Sequence, residues 1–235
     1  MSGVAGNLRE IRRRIDAACG RAGRDPRSVE LVAVSKTFDA DAVRDAVAAG
    51  QTVFGESRLQ EAEPKIADVG GDLEWHFIGS IQRNKVRRIL GCCRVLHSVD
   101  SLRLARYVSN VAENLGVKPG VFLQVNQAGE ESKGGLTPEE IRTNLPEIAT
   151  LESIELLGLM VIPPAADDPE VARHWFQELR ELRDELAVAT GIALPCLSMG
   201  MSDDFEIALE EGATHVRVGS AIFGARSYRV DGELG

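Results

Sequence analysis

Long apolar runs, paired cysteines and a leader-like N-terminus are all missing from this sequence. No apolar run reaches the roughly 18 residues that a membrane-spanning helix requires. Residues 8–16 carry charges where a signal peptide has its apolar core. The four cysteines are Cys19, Cys92, Cys93 and Cys196, and no C-x-x-C spacing occurs among them. This pattern argues against a disulfide framework and against a structural zinc site, so a cytosolic protein without a metal is predicted.

Aromatic residues and positive charge are also scarce. Only 5% of the 235 residues are aromatic, and 36 Asp and Glu outweigh 27 Lys and Arg, for a net charge of −9. The acidic balance disfavours a nucleic-acid-binding surface, which normally has a basic face. With 44% hydrophobic and 27% charged residues, the composition is typical of a soluble globular protein and excludes a collagen-like or disordered chain. No linker or low-complexity tract divides the chain, so residues 1–235 are predicted to form a single domain.

Short apolar runs alternate with amphipathic segments along the chain. The apolar runs predict eight strands, at residues 30–36, 52–55, 74–79, 94–99, 121–126, within 154–162, at 195–198 and at 215–219. A helix is predicted after each strand, and one more, at residues 7–22, precedes the first. Because such alternation implies parallel strands and eight units close a barrel, the sequence predicts an α/β fold, a (β/α)8 TIM barrel with an extra N-terminal helix. The competing fold is an open doubly wound sheet, which would usually have a glycine-rich first turn where this chain has Ser35, Lys36 and Thr37.

Lysine is rare in this chain, which has five lysines against 22 arginines. Each lysine is therefore of interest, since arginine cannot act as an amine nucleophile. Lys36 ends the first predicted strand, and barrel enzymes place their sites at the carboxyl ends of the strands. Its amine is expected to project into the barrel mouth, where a partly desolvated lysine can form an imine with an aldehyde. The alternative is a surface lysine at the end of a strand.

Two later loops have the composition of a phosphate-binding cup. Barrels often hold a phosphate between the loops after strands seven and eight. Here those loops are Ser198-Met199-Gly200-Met201-Ser202 and Gly219-Ser220-Ala221, whose glycine N–H groups and serine hydroxyls can approach oxygens closely. An imine-forming lysine and a phosphate cup together suggest pyridoxal 5′-phosphate (PLP) or the phosphorylated sugar of a class I aldolase. The alternative is that these residues only form turns.

Arg217 lies inside a predicted β-branched strand, where an unpaired charge is costly. It needs a partner within the barrel, and the pyridine nitrogen of PLP would serve. Since a guanidinium does not give up its proton, that nitrogen would stay unprotonated, and the ring would accept electrons less readily than one that faces Asp or Glu. The alternative is a structural ion pair at the floor of the barrel.

Motifs spread over nearly the whole chain point to one family. They are LVAVSKT at 31–37, FGE at 54–56, WHFIGSIQRNK at 75–85, HSVDSL at 97–102, QVN at 124–126, GEESKGGL at 129–136, GLMVIPP at 158–164, LSMGMSDDFEIALEEGATHVRVG at 197–219 and AIFGAR at 221–226. On these motifs the chain closely resembles the YggS/PROSC family of PLP homeostasis proteins. Members of that family share a barrel with the N-terminal domain of alanine racemase, so the resemblance implies a fold-type III PLP protein.

The resemblance also implies a set of cofactor contacts. These are Lys36, Ser57, Ser198, Met199, Gly200, Arg217, Gly219 and Ser220. Lys36 corresponds to the imine lysine of the family and Arg217 to the partner of the pyridine nitrogen, while the serine and glycine segments correspond to its phosphate loops. Family members commonly have Asn at the position of Ser57, so that a hydroxyl here replaces an amide. Ser220 stands where Thr is frequent, and the hydroxyl is retained.

The function that the resemblance implies is PLP homeostasis. Such a carrier or regulator holds PLP as a Schiff base and releases it, to PLP-dependent apo-enzymes as recipients, with no committed catalytic reaction and no catalytic residue. The alternative is a PLP-dependent amino-acid racemase, which needs an acid/base group on each face of the cofactor. Alanine racemases take one of these, a tyrosine, from a second domain. Neither Tyr107 nor Tyr228 ends a predicted strand, and no second domain is expected, which also favours a monomer.

Two further residues have two interpretations each. Lys133 lies in the polar, glycine-rich stretch 130–135, which is either a solvated loop or a lid that carries a second, weaker aldehyde-binding amine. His76, beside Trp75 in the third predicted strand, is interpreted as a core histidine with satisfied hydrogen bonds, with a general base as the alternative.

Overall fold

Strands and helices alternate throughout the part of the chain that the structure, a computed structural model, describes, namely residues 3–129 and 134–224. The strands in these ranges are β1 (Glu30–Val34), β2 (Val53–Glu56), β3 (Glu74–Phe77), β4 (Val95–Val99), β5 (Gly120–Gln124), β6 (Glu155–Met160), β7 (Cys196–Ser198) and β8 (His215–Val218). The α-helices in the same ranges are α1 (Val4–Arg21), α2 (Ala40–Ala48), α3 (Leu59–Val69), α4 (Val86–Leu90), α5 (Leu102–Leu115), α6 (Pro138–Ile148), α7 (Ala172–Thr190), α8 (Phe205–Glu210) and α9 (Ser220–Phe223). Short 3-10 helices lie at Pro26–Ser28, Arg83–Lys85 and Pro169–Val171.

The strands pair in chain order, and the last pairs with the first, so the sheet closes into a barrel. All pairs are parallel, and across the closing seam Val32 of β1 lies opposite Arg217 of β8. The predicted (β/α)8 barrel with an extra N-terminal helix is confirmed, and the open doubly wound sheet is wrong. Parallel closure brings the carboxyl ends of all eight strands to one rim, which is where barrels place their functional sites.

The N-terminal helix α1 packs against the outside of the barrel. Leu8, Ile11 and Ile15 are buried on one face of the helix, as their spacing predicts, and α1 contacts α2, α8 and α9. The Asn7 side chain donates a hydrogen bond to the Ile222 carbonyl at 2.8 Å, which ties the start of the chain to its last described helix.

Local chemistry accounts for where elements begin and end. The Thr137 hydroxyl accepts from the Glu140 N–H at 3.2 Å, while the Glu140 carboxylate accepts from the Thr137 N–H at 2.8 Å, so the expected capping box opens α6. Strand β1 ends at Val34, and Lys36 therefore lies in the turn after the strand rather than at its end. None of the described helices is both long and apolar enough to cross a membrane.

Candidate functional site

A cavity of about 280 Å³ lies at the carboxyl ends of β1, β2 and β8. The residues that line it are Val34, Lys36, Phe38, Ser57, Ile78, Ile162, Met201, Ser202, Asp203, Arg217, Gly219, Ser220 and Gly224. Five of the contacts expected from the sequence are therefore brought together here: Lys36, Ser57, Arg217, Gly219 and Ser220. The other three, Ser198, Met199 and Gly200, do not line the cavity.

Lys36 lies in a tight turn that directly follows β1. The Phe38 N–H donates to the Ser35 carbonyl at 3.1 Å, which closes the turn around Lys36 and Thr37. Thr37 has φ 71°, a left-handed conformation that costs a β-branched residue about 1–3 kcal/mol. Its N–H donates to Glu61 Oε2 at 3.2 Å, which helps to hold this conformation. The strained turn places the half-buried Lys36 side chain in the wall of the cavity.

A buried ion pair supports the start of this turn. Lys65 Nζ lies 2.6 Å from Glu56 Oε1 and donates to the Ser35 carbonyl at 2.8 Å. The Ser35 hydroxyl donates to the same Glu56 oxygen at 2.7 Å. Glu56 is fully buried and Lys65 is 8% exposed, so the pair lies away from water. Glu56 Oε1 receives both hydrogen bonds, whereas the buried Oε2 has no hydrogen-bond partner among the described residues. This pair was not predicted from the sequence, although the spacing of Lys65 with Leu59 and Ala62 places it on the buried face of α3.

Arg217 is buried and also lines the cavity. Its Nη1 donates to Ser198 Oγ at 2.6 Å and its Nη2 donates to the Val161 carbonyl at 3.0 Å. Burial lowers the pKa of Arg217 to about 10, while the Asp204 carboxylate acts in the opposite direction, so the guanidinium stays protonated at neutral pH. Among the described residues no carboxylate forms a salt bridge with Arg217, and the alternative of an ion pair at the barrel floor finds no partner there.

The expected phosphate segment after β7 lies beneath the cavity rather than in its wall. Ser198 and Met199 are fully buried. Gly200 has φ 92°, and a Cβ at this position would stand 2.6 Å from the Ala208 Cβ, so the backbone here is pressed against α8. Because β7 ends at Ser198, the chain reaches the rim only in the residues that follow, and residues 201–203 line the cavity instead.

Ser202 connects the loops after β7 and β8. Its hydroxyl oxygen accepts hydrogen bonds from the Gly219 N–H at 3.2 Å and from the Ala221 N–H at 3.3 Å. A Cβ at Gly219 would lie 3.2 Å from the Val34 carbonyl oxygen, so glycine allows this close approach to β1. The Ser202 hydroxyl keeps its own proton, which it can donate to a phosphate oxygen in the cavity. Ser202 lies in the loop predicted from the sequence to bind phosphate, although it was not among the individual contacts expected.

Ser57 reaches the cavity where the chain after β3 passes close to it. A Cβ at Gly79 would stand 2.1 Å from the Ser57 carbonyl oxygen, so only glycine permits this approach. Ile78, the preceding residue, lines the same wall. The segment that follows β3 therefore limits how far Ser57 extends into the cavity.

The remaining residues considered from the sequence fall into two groups. Lys133 and Tyr228 lie outside the described residues. His76 is 1% exposed, and both of its ring nitrogens lie within hydrogen-bonding distance of a partner, which agrees with a core histidine.

Comparisons with known proteins identify the family of the chain. A family profile described as the alanine racemase N-terminal domain matches residues 6–227. The chain is 46% identical to the pyridoxal phosphate homeostasis protein of Pseudomonas aeruginosa, with 97% of this chain and 98% of that protein covered. It is 44% identical to the protein of the same name from Aquifex aeolicus, with coverages of 94% and 97%. The chain belongs to the family of pyridoxal phosphate homeostasis proteins.

Comparison with solved structures shows that the fold of this chain is also that of the pyridoxal phosphate homeostasis family. The structure of PipY from Synechococcus elongatus with PLP bound matches with a TM-score of 0.84 and 38% identity, and covers 94% of this chain and 100% of that one. An alanine racemase from Clostridium difficile matches with a TM-score of 0.73 at 17% identity, and this chain spans 58% of it. The second likeness shows the fold alone. The family resemblance inferred from the motifs is confirmed.

Proposed function

We propose that this chain binds PLP as a Schiff base on Lys36 and acts in PLP homeostasis as a carrier or regulator without a committed catalytic reaction. One observation carries the proposal: the Lys36 amine, the Arg217 guanidinium and the corner formed by Ser202 and Gly219 line the same cavity. A family relative of 38% identity has been solved with PLP bound, which supports PLP over a phosphorylated sugar.

The residues around the cavity fit the chemistry of PLP. The cavity volume of about 280 Å³ is near the lower end of the range for small-molecule sites, about 300–1,000 Å³. PLP has an aldehyde, a phosphate and a pyridine nitrogen. The cavity offers an amine for the first, the Ser202 hydroxyl beside Gly219 and Ser220 for the second, and a buried guanidinium for the third. Apolar walls for the ring are supplied by Val34, Phe38, Ile78 and Ile162.

The buried Arg217 favours retention of the cofactor over turnover. Bound PLP supplies an aldehyde that condenses with amines and a ring that can accept electrons. A guanidinium that remains protonated presents only donors, so a ring nitrogen that faces it stays unprotonated. Such a ring stabilises negative charge poorly, which supports a carrier. The alternative function remains a PLP-dependent amino-acid racemase.

A reversible Schiff base also suits transfer of PLP to another protein. We propose that the recipients are PLP-dependent apo-enzymes, whose own lysines would take over the cofactor.

We further propose a cytosolic monomer in which residues 1–235 form one domain. Light scattering tests the monomer, and limited proteolysis that yields no stable half-molecule supports the single domain.

Borohydride reduction tests the attachment site. Addition of PLP to the purified protein is expected to produce a Schiff-base absorption band, and reduction is expected to leave the label on the peptide that contains Lys36. Lys36→Ala is expected to lose the reducible band while its circular dichroism stays the same, because the side chain lines the cavity rather than the core. Lys118→Ala, at an exposed lysine by the opposite end of the barrel, is the matched control and should label normally. A reduced label on another lysine of the wild type, Lys133 above all, would place the attachment elsewhere.

Hydrogen exchange at the α-carbon separates the carrier from the racemase. The PLP-loaded protein is incubated with single L-amino acids in deuterated buffer. The proposal expects less than one deuterium incorporated per protein molecule and no racemisation. Many turnovers per molecule would instead establish the racemase.

A further inference from the structure

A chain of hydrogen bonds crosses the barrel interior from its floor to Arg217. His76 Nε2 lies 2.9 Å from Glu74 Oε1, and His76 Nδ1 lies 2.9 Å from His97 Nε2. His97 Nδ1 lies 2.7 Å from Ser198 Oγ, which accepts from Arg217 Nη1 at 2.6 Å. His76 and His97 are fully buried, whereas the Glu74 side chain, at the start of β3, is half exposed. Polar side chains here occupy layers that branched apolar residues usually fill in a barrel.

One arrangement of protons satisfies every contact in the chain while both histidine rings stay neutral. In it, Ser198 Oγ accepts from the Arg217 guanidinium, which only donates, and gives its own proton to a hydrogen bond with His97 Nδ1. His97 then carries its proton on Nε2 and donates to His76 Nδ1. His76 carries its proton on Nε2 and donates to the Glu74 carboxylate, which only accepts. In this arrangement every hydrogen bond donates in the direction from Arg217 to Glu74.

The surroundings of His97 favour its neutral form. Burial lowers the pKa of His97 well below the ordinary histidine value, and the positive charge of Arg217 acts in the same direction. The hydrogen bond from His76 lowers the pKa of Glu74, so this carboxylate is ionised at neutral pH. Six other titratable or charged groups lie around the floor among the described residues: Glu30 of β1, Asp72 before β3, Arg94 before β4, Lys118 before β5, Glu155 of β6 and His215 of β8.

We infer that this histidine relay (Glu74, His76, His97 and Ser198) positions Arg217 and balances its charge. The inference rests on the proposed function only for the partner of Arg217, the pyridine nitrogen of PLP. A buried guanidinium is costly without a counter-charge. Asp204 acts on Arg217 through space, and the carboxylate that hydrogen bonds connect to it stands at the far end of the relay. The Glu74 charge polarises each hydrogen bond in turn, which makes the Ser198 oxygen a better acceptor for Arg217.

The relay holds Arg217 without occupying all of its donors. A guanidinium has five N–H donors, and among the described residues Ser198 and Val161 accept from two of its nitrogens. A carboxylate in direct contact would bind two N–H groups in a fork and would place a negative charge beside the cavity. With the carboxylate at the floor, donors remain for a ligand, and the relay itself adds no negative charge beside Arg217.

Nitrogen-15 NMR of the histidine-labelled protein tests the direction of the relay without any cofactor. At pH 7 both His76 and His97 are expected to be neutral, with the proton on Nε2 and with Nδ1 unprotonated. In Ser198→Ala the Nδ1 resonance of His97 should shift because it loses its hydrogen-bond donor. Assignment uses His174→Gln and His215→Gln, which remove the other two histidine signals. A proton on His97 Nδ1, or a cationic ring at either position, overturns the relay.

Substitutions at the floor test whether the relay acts on the cavity. Glu74→Gln keeps an acceptor for His76 but removes the charge. Glu155→Gln makes the same change at the start of β6, in the same depression at the barrel floor and outside the relay. We expect Glu74→Gln to raise the Kd for PLP roughly three- to tenfold, the difference between a charge-assisted and a neutral hydrogen bond. The pH midpoint of the bound-cofactor absorption should also shift in Glu74→Gln and not in Glu155→Gln.

The experiments distinguish a failure of the relay from a failure of the proposed function. Equal Kd values and equal pH profiles for Glu74→Gln and Glu155→Gln overturn the action of the relay on Arg217. If the wild-type protein does not bind PLP at all, the proposed function fails, and the NMR measurement alone decides whether the relay exists in the stated direction.

Discussion

Single residues at this site depend on buried neighbours for their charge and position. Arg217 is held by the oxygens of Ser198 and Val161, and Lys65 by those of Glu56 and Ser35. Removal of one partner leaves the other without a hydrogen bond in a place that water does not reach, which costs more than the bond itself contributes. Substitutions of these residues should therefore have large and specific effects.

Arg217→Met is expected to raise the Kd for PLP on the order of tenfold or more, because a charged donor is lost. Arg217→Glu should bind more weakly still, since a buried carboxylate without its own partner is costly. Any PLP that Arg217→Glu retains should exchange amino-acid α-protons faster than wild type, because a carboxylate favours the protonated ring. Cofactor titration and deuterium incorporation measure the two effects. Unchanged affinity and spectrum in both variants would show that Arg217 does not touch the cofactor.

Lys65→Met is expected to lower the free energy of unfolding by about 3–5 kcal/mol, since it leaves the buried Glu56 carboxylate unpaired. The double variant Lys65→Met with Glu56→Gln should recover part of this loss, because the unpaired charge is then removed. Urea denaturation measures both. If the double variant is no more stable than Lys65→Met, the two side chains are not coupled in the folded state.

At the level of elements, the corner formed by Ser202 and Gly219 depends on short segments rather than on long helices. Strand β7 has only three residues and α9 only four, and the loop between β7 and α8 turns sharply at Gly200. The packing of this loop against α8 determines where Ser202 meets the Gly219 N–H. A change in the loop backbone should therefore affect both stability and cofactor binding.

Gly200→Ala tests this dependence, with Gly191→Ala as its matched control. Both glycines have positive φ, 92° and 71°, so alanine at either costs about 1–2 kcal/mol in backbone conformation. Only at Gly200 would the new Cβ meet other atoms, 2.6 Å from the Ala208 Cβ, which should cost about 1–3 kcal/mol more. Thermal denaturation and PLP titration are expected to show weaker binding for Gly200→Ala alone. Equal stability losses with unchanged binding would contradict the proposed role of this loop.

At the level of the whole molecule, the histidines inside the barrel make its stability depend on pH. Burial lowers the pKa of His215 from 6.5 to about 4, and that of His97 well below 6.5. In the unfolded chain both bind a proton near pH 6.5, whereas in the folded barrel they stay neutral. The unfolded state thus holds more protons in this range, so the free energy of unfolding falls as the pH drops from about 6.5 towards 4.

The expected Tm is constant between pH 8 and 7 and decreases steadily below about pH 6.5. His215→Gln should make this decrease shallower, because one of the depressed groups is removed. His174→Gln, at an exposed histidine on α7, is the control and should leave the slope as it is in wild type. An identical slope in the His215 variant would show that this ring does not contribute to the pH dependence.

Local patterns were sufficient to predict the barrel, its extra helix and the residues at the rim that directly follow a strand. Lys36, Gly219 and Ser220 are of this kind, since a residue just past a parallel strand must lie at the carboxyl rim once the sheet closes. The loop that contains Ser202 was predicted as well, but the contact of Ser202 with the Gly219 N–H was not, because a residue several positions into a loop can face in any direction until the loop is packed.

The sequence by itself determined the alternation of strands and helices, the number of strands and the family, because these depend on neighbouring residues and on motifs. Only the tertiary structure decided which side chains meet across the barrel. Glu74, His76, His97 and Ser198 come from three strands, and in the sequence nothing indicates that these polar residues of largely apolar runs contact one another. Their alignment depends on the stagger that the strands acquire when the sheet closes, which no single strand contains.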